Sequence, residues 1–177
     1  MINSIADLVD RLQHVNPKDY PKLIKQIDIP LRAFDKYVNW DDRGYTRNCI
    51  VRDTRFELIL LCWKNMQSTP IHDHGGEQCW VYQIQGKAEE HRYEHVNDVL
   101  ELKSSTILEP GSVTYMDDHM GYHAIQTLEN RVMTLHIYMN PIDTCVVYNS
   151  ENQRFEEKEM TYDSIHGIPV PIPSITR

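Results

Sequence analysis

From residue 45 onwards the sequence is a succession of short apolar or alternating segments, each followed by residues that favour turns. The segments are 47–52, 55–63, 78–85, 87–93, 112–116, 123–127 and 131–138. Glycine, proline, asparagine or aspartate separates them, as in 110–111 and 129–130. Many short strands at this spacing predict an antiparallel sandwich or barrel. No helical segment alternates with these strands, which argues against a doubly wound α/β sheet.

The two ends of the chain have a different character. Within residues 1–38, Ser4 and Asp7 resemble a helix capping box, while Pro17 and Pro30 suit the starts of two further helices. The alternating prolines of 169–173 predict an extended tail, because proline excludes helix and central strand positions. We therefore expect one domain over 1–177, mainly β. A helical N-terminal cap covers about 1–38, a β-barrel core about 45–148, and C-terminal strands with the tail 149–177.

The composition narrows the possible partners and compartment. The chain has 177 residues and a net charge of −8, and its lysines and arginines are scattered. Neither nucleic acid nor a membrane is therefore an expected partner. The N-terminus has no signal-peptide pattern, and the longest apolar run, 58–63, is too short to span a bilayer. We expect a cytoplasmic protein whose four cysteines are free thiols.

Three histidines form the strongest chemical pattern in the sequence. His72 and His74 are two residues apart, and in a strand such residues point to the same face. His123 follows about fifty residues later, after a Pro-Gly turn, so a distant strand can supply a third imidazole to the same metal ion. Such a pair alone is more often structural or at the surface than a metal site. His119 is a competing candidate for the third ligand.

The order of these motifs resembles the cupin family of jelly-roll barrels. In that family a glutamate and then a glycine follow the paired histidines. Here Gly86 fits the glycine, but Cys79 stands at the glutamate position. The replacement leaves three neutral imidazoles and open coordination positions. Imidazoles suit iron, zinc, copper or nickel.

Four ordered segments make the chain similar to one family of cupins, the cysteine dioxygenases of the mammalian-like type. The segments are 45–48 (YTRN), 61–63 (LCW), 72–79 (HDHGGEQC) and 135–145 (LHIYMNPIDTC). The segment ending in His123 lies between the last two in the expected order. The similarity covers roughly residues 40–148. One departure is the sequence 139–141 (MNP), where the family often has Ser-Pro-Pro, so a cis peptide at Asn140 is not expected.

The resemblance implies a role for each site residue. His72, His74 and His123 match the ligands of an Fe(2+) cofactor. Cys79 and Tyr138 match a pair that forms a thioether cross-link beside the substrate, and both are catalytic in the family.

Further matches concern the substrate and the residues behind the site. Arg47 matches the residue that binds the substrate carboxylate, with Tyr45 as a second donor; a guanidinium suits a carboxylate because its donors form a planar fork. His136 matches a catalytic partner of the Tyr138 hydroxyl. Trp63 and Thr134 are expected to pack behind His136.

The implied function is oxidation of L-cysteine by O2 to cysteine sulfinic acid, a reaction of cysteine catabolism, by a monomeric enzyme. One alternative is a dioxygenase of 3-mercaptopropionate or another small thiol; relatives of that type have glutamine where this chain has Arg47. Another is a non-catalytic metal-binding cupin, which would not need Cys79, Tyr138 and Arg47 together. A zinc isomerase of the cupin type would need the missing glutamate.

Overall fold

The computed structural model describes residues 1–97 and 99–171 and consists mainly of short β-strands. The strands are β1 (Thr46–Arg52), β2 (Glu57–Trp63), β3 (Ile71–His72), β4 (Cys79–Gln85), β5 (Ala88–Val96), β6 (Val99–Leu108), β7 (Val113–Met116), β8 (Tyr122–Thr127), β9 (Val132–Tyr138), β10 (Thr144–Asn149), β11 (Arg154–Glu159), β12 (Ser164–Ile165) and β13 (Ile168–Pro169).

The strands form two sheets. One has seven strands in the order β13-β12-β1-β2-β9-β4-β7, and the other has six in the order β11-β10-β3-β8-β5-β6. Pairing is antiparallel except between β1 and β12. From β2 to β5 and from β6 to β10, successive strands alternate between the two sheets. The two sheets enclose a core, which confirms the mainly β cupin jelly-roll predicted from the sequence.

The N-terminal region is helical, as expected. Helix α1 (Ile5–His14) begins at Ser4, whose hydroxyl accepts a hydrogen bond from the Asp7 backbone N–H at 3.1 Å. A 3-10 turn (Pro17–Asp19), helix α2 (Tyr20–Ile24) and a 3-10 helix (Leu31–Tyr37) follow. Their apolar residues pack on the outer face of the seven-stranded sheet. No helix among the described residues is long and apolar enough to cross a membrane.

Strand β2 illustrates why this sheet is buried on both faces. All seven of its residues are buried. Leu58, Leu60 and Cys62 pack with the N-terminal helices, whereas Ile59, Leu61 and Trp63 belong to the core between the sheets. Alternate residues of a strand point to opposite faces, so the continuous apolar run 58–63 serves two cores.

The structure also corrects parts of the sequence-based picture. Strand β6 was not among the predicted segments, and strand β3 ends at His72, so His74 lies in the following turn rather than on a strand. Pro169 lies in β13 at the edge of its sheet, and the end of the proline-rich tail, 172–173, lies outside the described residues. The described residues contain no cis peptide bond. The proposed domain boundaries stay a prediction.

Candidate metal centre and substrate pocket

Three histidine side chains converge between the sheets. One ring nitrogen from each of His72, His74 and His123 lies within 4.8 Å of the others. The ring centroids are 5.4 Å apart for His72 and His74, and 4.7 Å apart for each of the other two pairs. His72 and His123 are direct cross-strand partners of β3 and β8. His119, the competing candidate, is exposed in the preceding 3-10 turn and outside this cluster.

A carboxylate holds the turn that carries His74. Asp118 accepts hydrogen bonds from the backbone N–H groups of His74, at 2.8 Å, and Gly76, at 2.6 Å. Gly75 has a φ of +61°, and a Cβ there would lie 2.3 Å from the carbonyl oxygen of Thr144. Only glycine fits such a position without moving the backbone. The turn therefore replaces the missing strand as the element that aims His74 at the other two rings.

The remaining contacts of the rings orient them towards one another. The Nδ1 atom of His72 lies 2.9 Å from the Pro70 carbonyl oxygen, and that of His123 lies 2.8 Å from a carboxylate oxygen of Glu90. Nε2 of His123 and both ring nitrogens of His74 are buried with no hydrogen-bond partner within 1–97 and 99–171. Buried polar atoms are normally paired, so these nitrogens are available to a ligand.

The protonation state suits metal binding. Burial lowers the pKa of His72, and it holds the pKa values of His74 and His123 well below the usual histidine range. The rings are therefore neutral at pH 7, the form in which imidazole binds a metal. Three converging neutral imidazoles with unpaired nitrogens fit a transition-metal ion, and the cluster is able to hold one.

Cys79 and Tyr138 lie directly opposite each other on β4 and β9. Side chains at opposed positions of an antiparallel pair are in contact distance, and both residues are buried. Burial raises the pKa of the Cys79 thiol, and burial beside Cys79 raises that of Tyr138 although the nearby Arg47 opposes the shift. The Tyr138 ring is 6.1 Å from that of His74, so the thiol–phenol pair borders the histidine cluster.

A pocket opens beside the cluster. Its walls include Tyr45, Arg47, His72, His136, Tyr138 and Lys158. Arg47 is only 8% exposed; its Nε donates to the Thr161 carbonyl oxygen at 3.1 Å, and its Nη2 has no partner among the described residues. The ring of Tyr45 packs on Trp63 with centroids 4.6 Å apart. A buried guanidinium with a free donor thus faces the same space as His72.

A chain of hydrogen bonds lies behind the pocket. Trp63 Nε1 donates to the Thr134 hydroxyl at 2.9 Å, and that hydroxyl lies 2.9 Å from His136 Nε2. The three residues are buried, and His136 packs over Tyr138 with ring centroids 6.4 Å apart. The expected grouping of Trp63, Thr134 and His136 is present. The hydrogen bond of His136 described here goes to Thr134, so its contact with the Tyr138 hydroxyl stays a prediction.

Two residues at the centre were not identified from the sequence. Glu90 contacts His123, and Asp118 fixes the His74 turn. The sequence 88–92 (AEEHR) has no apolar face that would show which glutamate points inwards. Asp118 is one of two adjacent aspartates in a loop, where an exposed carboxylate is ordinary.

Comparison with known proteins agrees with this geometry. The sequence model of a family described as cysteine dioxygenase type I matches residues 1–151. The chain belongs to that family. It is therefore a thiol dioxygenase, an oxidoreductase, and the resemblance drawn from its motifs is confirmed.

Individual relatives and one solved structure are also similar to this chain. Cysteine dioxygenase type 1 of Homo sapiens is 25% identical over 181 residues, covering 95% of this chain and 90% of that protein. The Rattus norvegicus protein of the same name is 26% identical over 182 residues, with the same coverage. The solved structure of KdgF from Halomonas sp. has a TM-score of 0.50 and 18% identity, covering 60% of this chain and 89% of that chain, and is similar in fold.

Proposed function

We propose that this protein oxidises the thiol of L-cysteine with O2 to cysteine sulfinic acid, using Fe(2+) held by His72, His74 and His123. The observation that carries the proposal is the convergence of these neutral imidazoles beside a buried, partly unpaired guanidinium. Bound iron would supply the redox chemistry that joins both oxygen atoms of O2 to the substrate sulfur. The protein's own contribution is to bind, orient and enclose the substrate.

Arg47 and Tyr45 are proposed to bind the substrate carboxylate. Nε of Arg47 donates to the Thr161 carbonyl, whereas Nη2 has no partner among the described residues, which supports a terminal end of the guanidinium directed at the ligand. Two parallel charge-assisted hydrogen bonds fix both the position and the rotation of a carboxylate. Since Arg47 and His72 share the pocket wall, a small amino acid held by its carboxylate can direct its thiol towards the histidines.

Cys79 and Tyr138 are proposed to form a thioether bond. A bond would join the sulfur to the ring carbon next to the hydroxyl. The S–H and C–H hydrogens would leave as two protons and two electrons, with O2 as the acceptor. The opposed positions of the two residues on β4 and β9 support this reaction. The cross-link would immobilise the phenol beside the substrate, with His136 packed against it as a catalytic partner.

Substrate comparison tests the proposal. We expect kcat/KM to be higher for L-cysteine than for 3-mercaptopropionate. Both compounds have a carboxylate and a thiol and only cysteine has the amine, so the comparison measures the enzyme's preference for the amino acid. A clear preference for 3-mercaptopropionate would instead favour the other small-thiol activity. Iron-loaded protein that consumes no O2 with any thiol would favour the non-catalytic binding module. Cytoplasmic location and the monomeric state stay predictions; light scattering of the purified protein tests the second.

A further inference from the structure

Glu90 is a buried carboxylate directly behind one of the three histidines. It is 1% exposed, as is His123, and the two side chains meet at 2.8 Å through Oε1 and Nδ1. Nδ1 must carry the proton for this contact to be a hydrogen bond, because an ionised carboxylate only accepts. The lone pair of His123 then lies on Nε2, the atom without a partner among the described residues.

Other contacts hold Glu90 itself in place. Its Oε2 accepts from the Thr114 hydroxyl at 2.7 Å and from Arg92 Nε at 3.1 Å. Arg92 is in turn anchored, since its Nη2 lies 2.7 Å from the Thr114 hydroxyl and donates to the Tyr115 carbonyl at 2.8 Å. A buried charge is tolerated when it is paired and hydrogen-bonded. Both oxygens of Glu90 are used, so the carboxylate has little freedom to rotate away from His123.

The three histidines differ in what stands behind them. His72 faces the neutral carbonyl of Pro70, and His74 has no partner for either ring nitrogen within the described ranges. Among the residues that the structure describes, only His123 of the three has a carboxylate as its ring partner. A carboxylate that accepts from the far nitrogen of an imidazole makes that ring a stronger metal ligand and fixes its orientation.

We propose that Glu90 is a positioning residue that fixes the tautomer and orientation of His123 and makes it the strongest of the three metal ligands. This inference rests on the metal site of the proposed function. It adds that the site is electronically asymmetric. Glu90 acts through His123, and the Thr114–Arg92 pair keeps it in that position.

The test is binding of Co2+ to metal-free protein, followed by the visible absorption of the bound ion. We expect Glu90→Gln, which keeps the shape and removes the charge, to weaken Co2+ binding about 10- to 100-fold and to shift the absorption bands. Glu89→Gln is the matched control, because Glu89 is on the opposite face of β5, is partly exposed and contacts His91 rather than His123. We expect it to bind as the wild type does.

A second variant covers the possibility that Glu90→Gln does not fold. Thr114→Val removes one hydrogen bond from Glu90 without touching His123, and we expect a smaller weakening with a band shift in the same direction. If the wild type binds Co2+ and the folded variants match it in affinity and spectrum, the role of Glu90 is refuted while the metal site stands. If the wild type itself binds no Co2+, the proposed metal site is refuted and the inference with it.

Discussion

Replacing Arg47 with glutamine should strongly lower kcat/KM for L-cysteine, because the variant binds the substrate carboxylate less tightly in the transition state. Nη2 of Arg47 has no partner among the described residues. A carboxylate can accept from both terminal nitrogens of a guanidinium, and hydrogen bonds to charged groups contribute about 1.5–3 kcal/mol each. Glutamine can retain one neutral hydrogen bond of about 1 kcal/mol. The net loss is then about 2–5 kcal/mol, a fall in kcat/KM of roughly 30- to 5,000-fold at 1.36 kcal/mol per factor of ten.

The assay compares L-cysteine with cysteamine, which has the thiol and amine but no carboxylate. For cysteine, kcat/KM should fall sharply in Arg47→Gln, whereas the low rate with cysteamine should change little. Arg43→Gln is the matched control, since Arg43 is 75% exposed and paired with Asp41. An Arg47→Gln enzyme that folds normally and keeps its kcat/KM for cysteine would refute the carboxylate-binding role. An equal loss for both substrates would do so as well.

Three further predictions concern buried groups in and around the pocket. Thr134→Val should lower the free energy of unfolding by about 2–4 kcal/mol, because it leaves Trp63 Nε1 and His136 Nε2 buried without a partner. Urea unfolding of Thr134→Val and of the control Thr134→Ser, which keeps the hydroxyl, checks this. Equal free energies of unfolding for the two variants would contradict it. Burial raises the pKa of Glu57, so the folded protein holds this proton above the usual pKa of about 4.3, and the associated stability is lost as pH rises. The buried histidines have lowered pKa values and contribute a slope of the opposite sign, so the test is the difference between two proteins in urea unfolding above pH 4.5. Glu57→Gln should make the slope of stability against pH more positive than in the wild type, by up to about 1.36 kcal/mol per pH unit; identical slopes in the two proteins would contradict a raised Glu57 pKa. The denatured wild type should weigh two hydrogen atoms less than its sequence where the thioether has formed, and Cys79→Ser should show its full mass; a full-mass wild type after turnover would exclude the cross-link.

Much of the fold was predictable because most strands have at least one buried face. Strand β9, for example, is buried along its whole length, and its apolar run 131–138 was recognised. Strand β6 was missed for the opposite reason. It lies at the edge of its sheet, nine of its ten residues are not buried, and the sequence therefore shows no apolar alternation.

Site residues that belong to a short sequence motif can be identified from the sequence. Site residues that reach the site only through the pairing of distant strands cannot. The three histidines, Arg47, and the Cys79–Tyr138 pair belong to short segments that can be recognised in order. That Cys79 lies opposite Tyr138 depends on the pairing of β4 with β9, which are about fifty residues apart in sequence. Glu90 reaches His123 only because β5 pairs with β8, and no local pattern encodes that contact.

The most direct test of the account is O2 uptake by anaerobically iron-loaded protein given L-cysteine, with mass spectrometry of the product formed under isotopically labelled O2. We expect one O2 to be consumed per cysteine, and both labelled atoms to appear in cysteine sulfinic acid. A product with one labelled oxygen, or disulfide in its place, would contradict the proposed dioxygenation. Absence of uptake with iron content confirmed would exclude L-cysteine as the substrate.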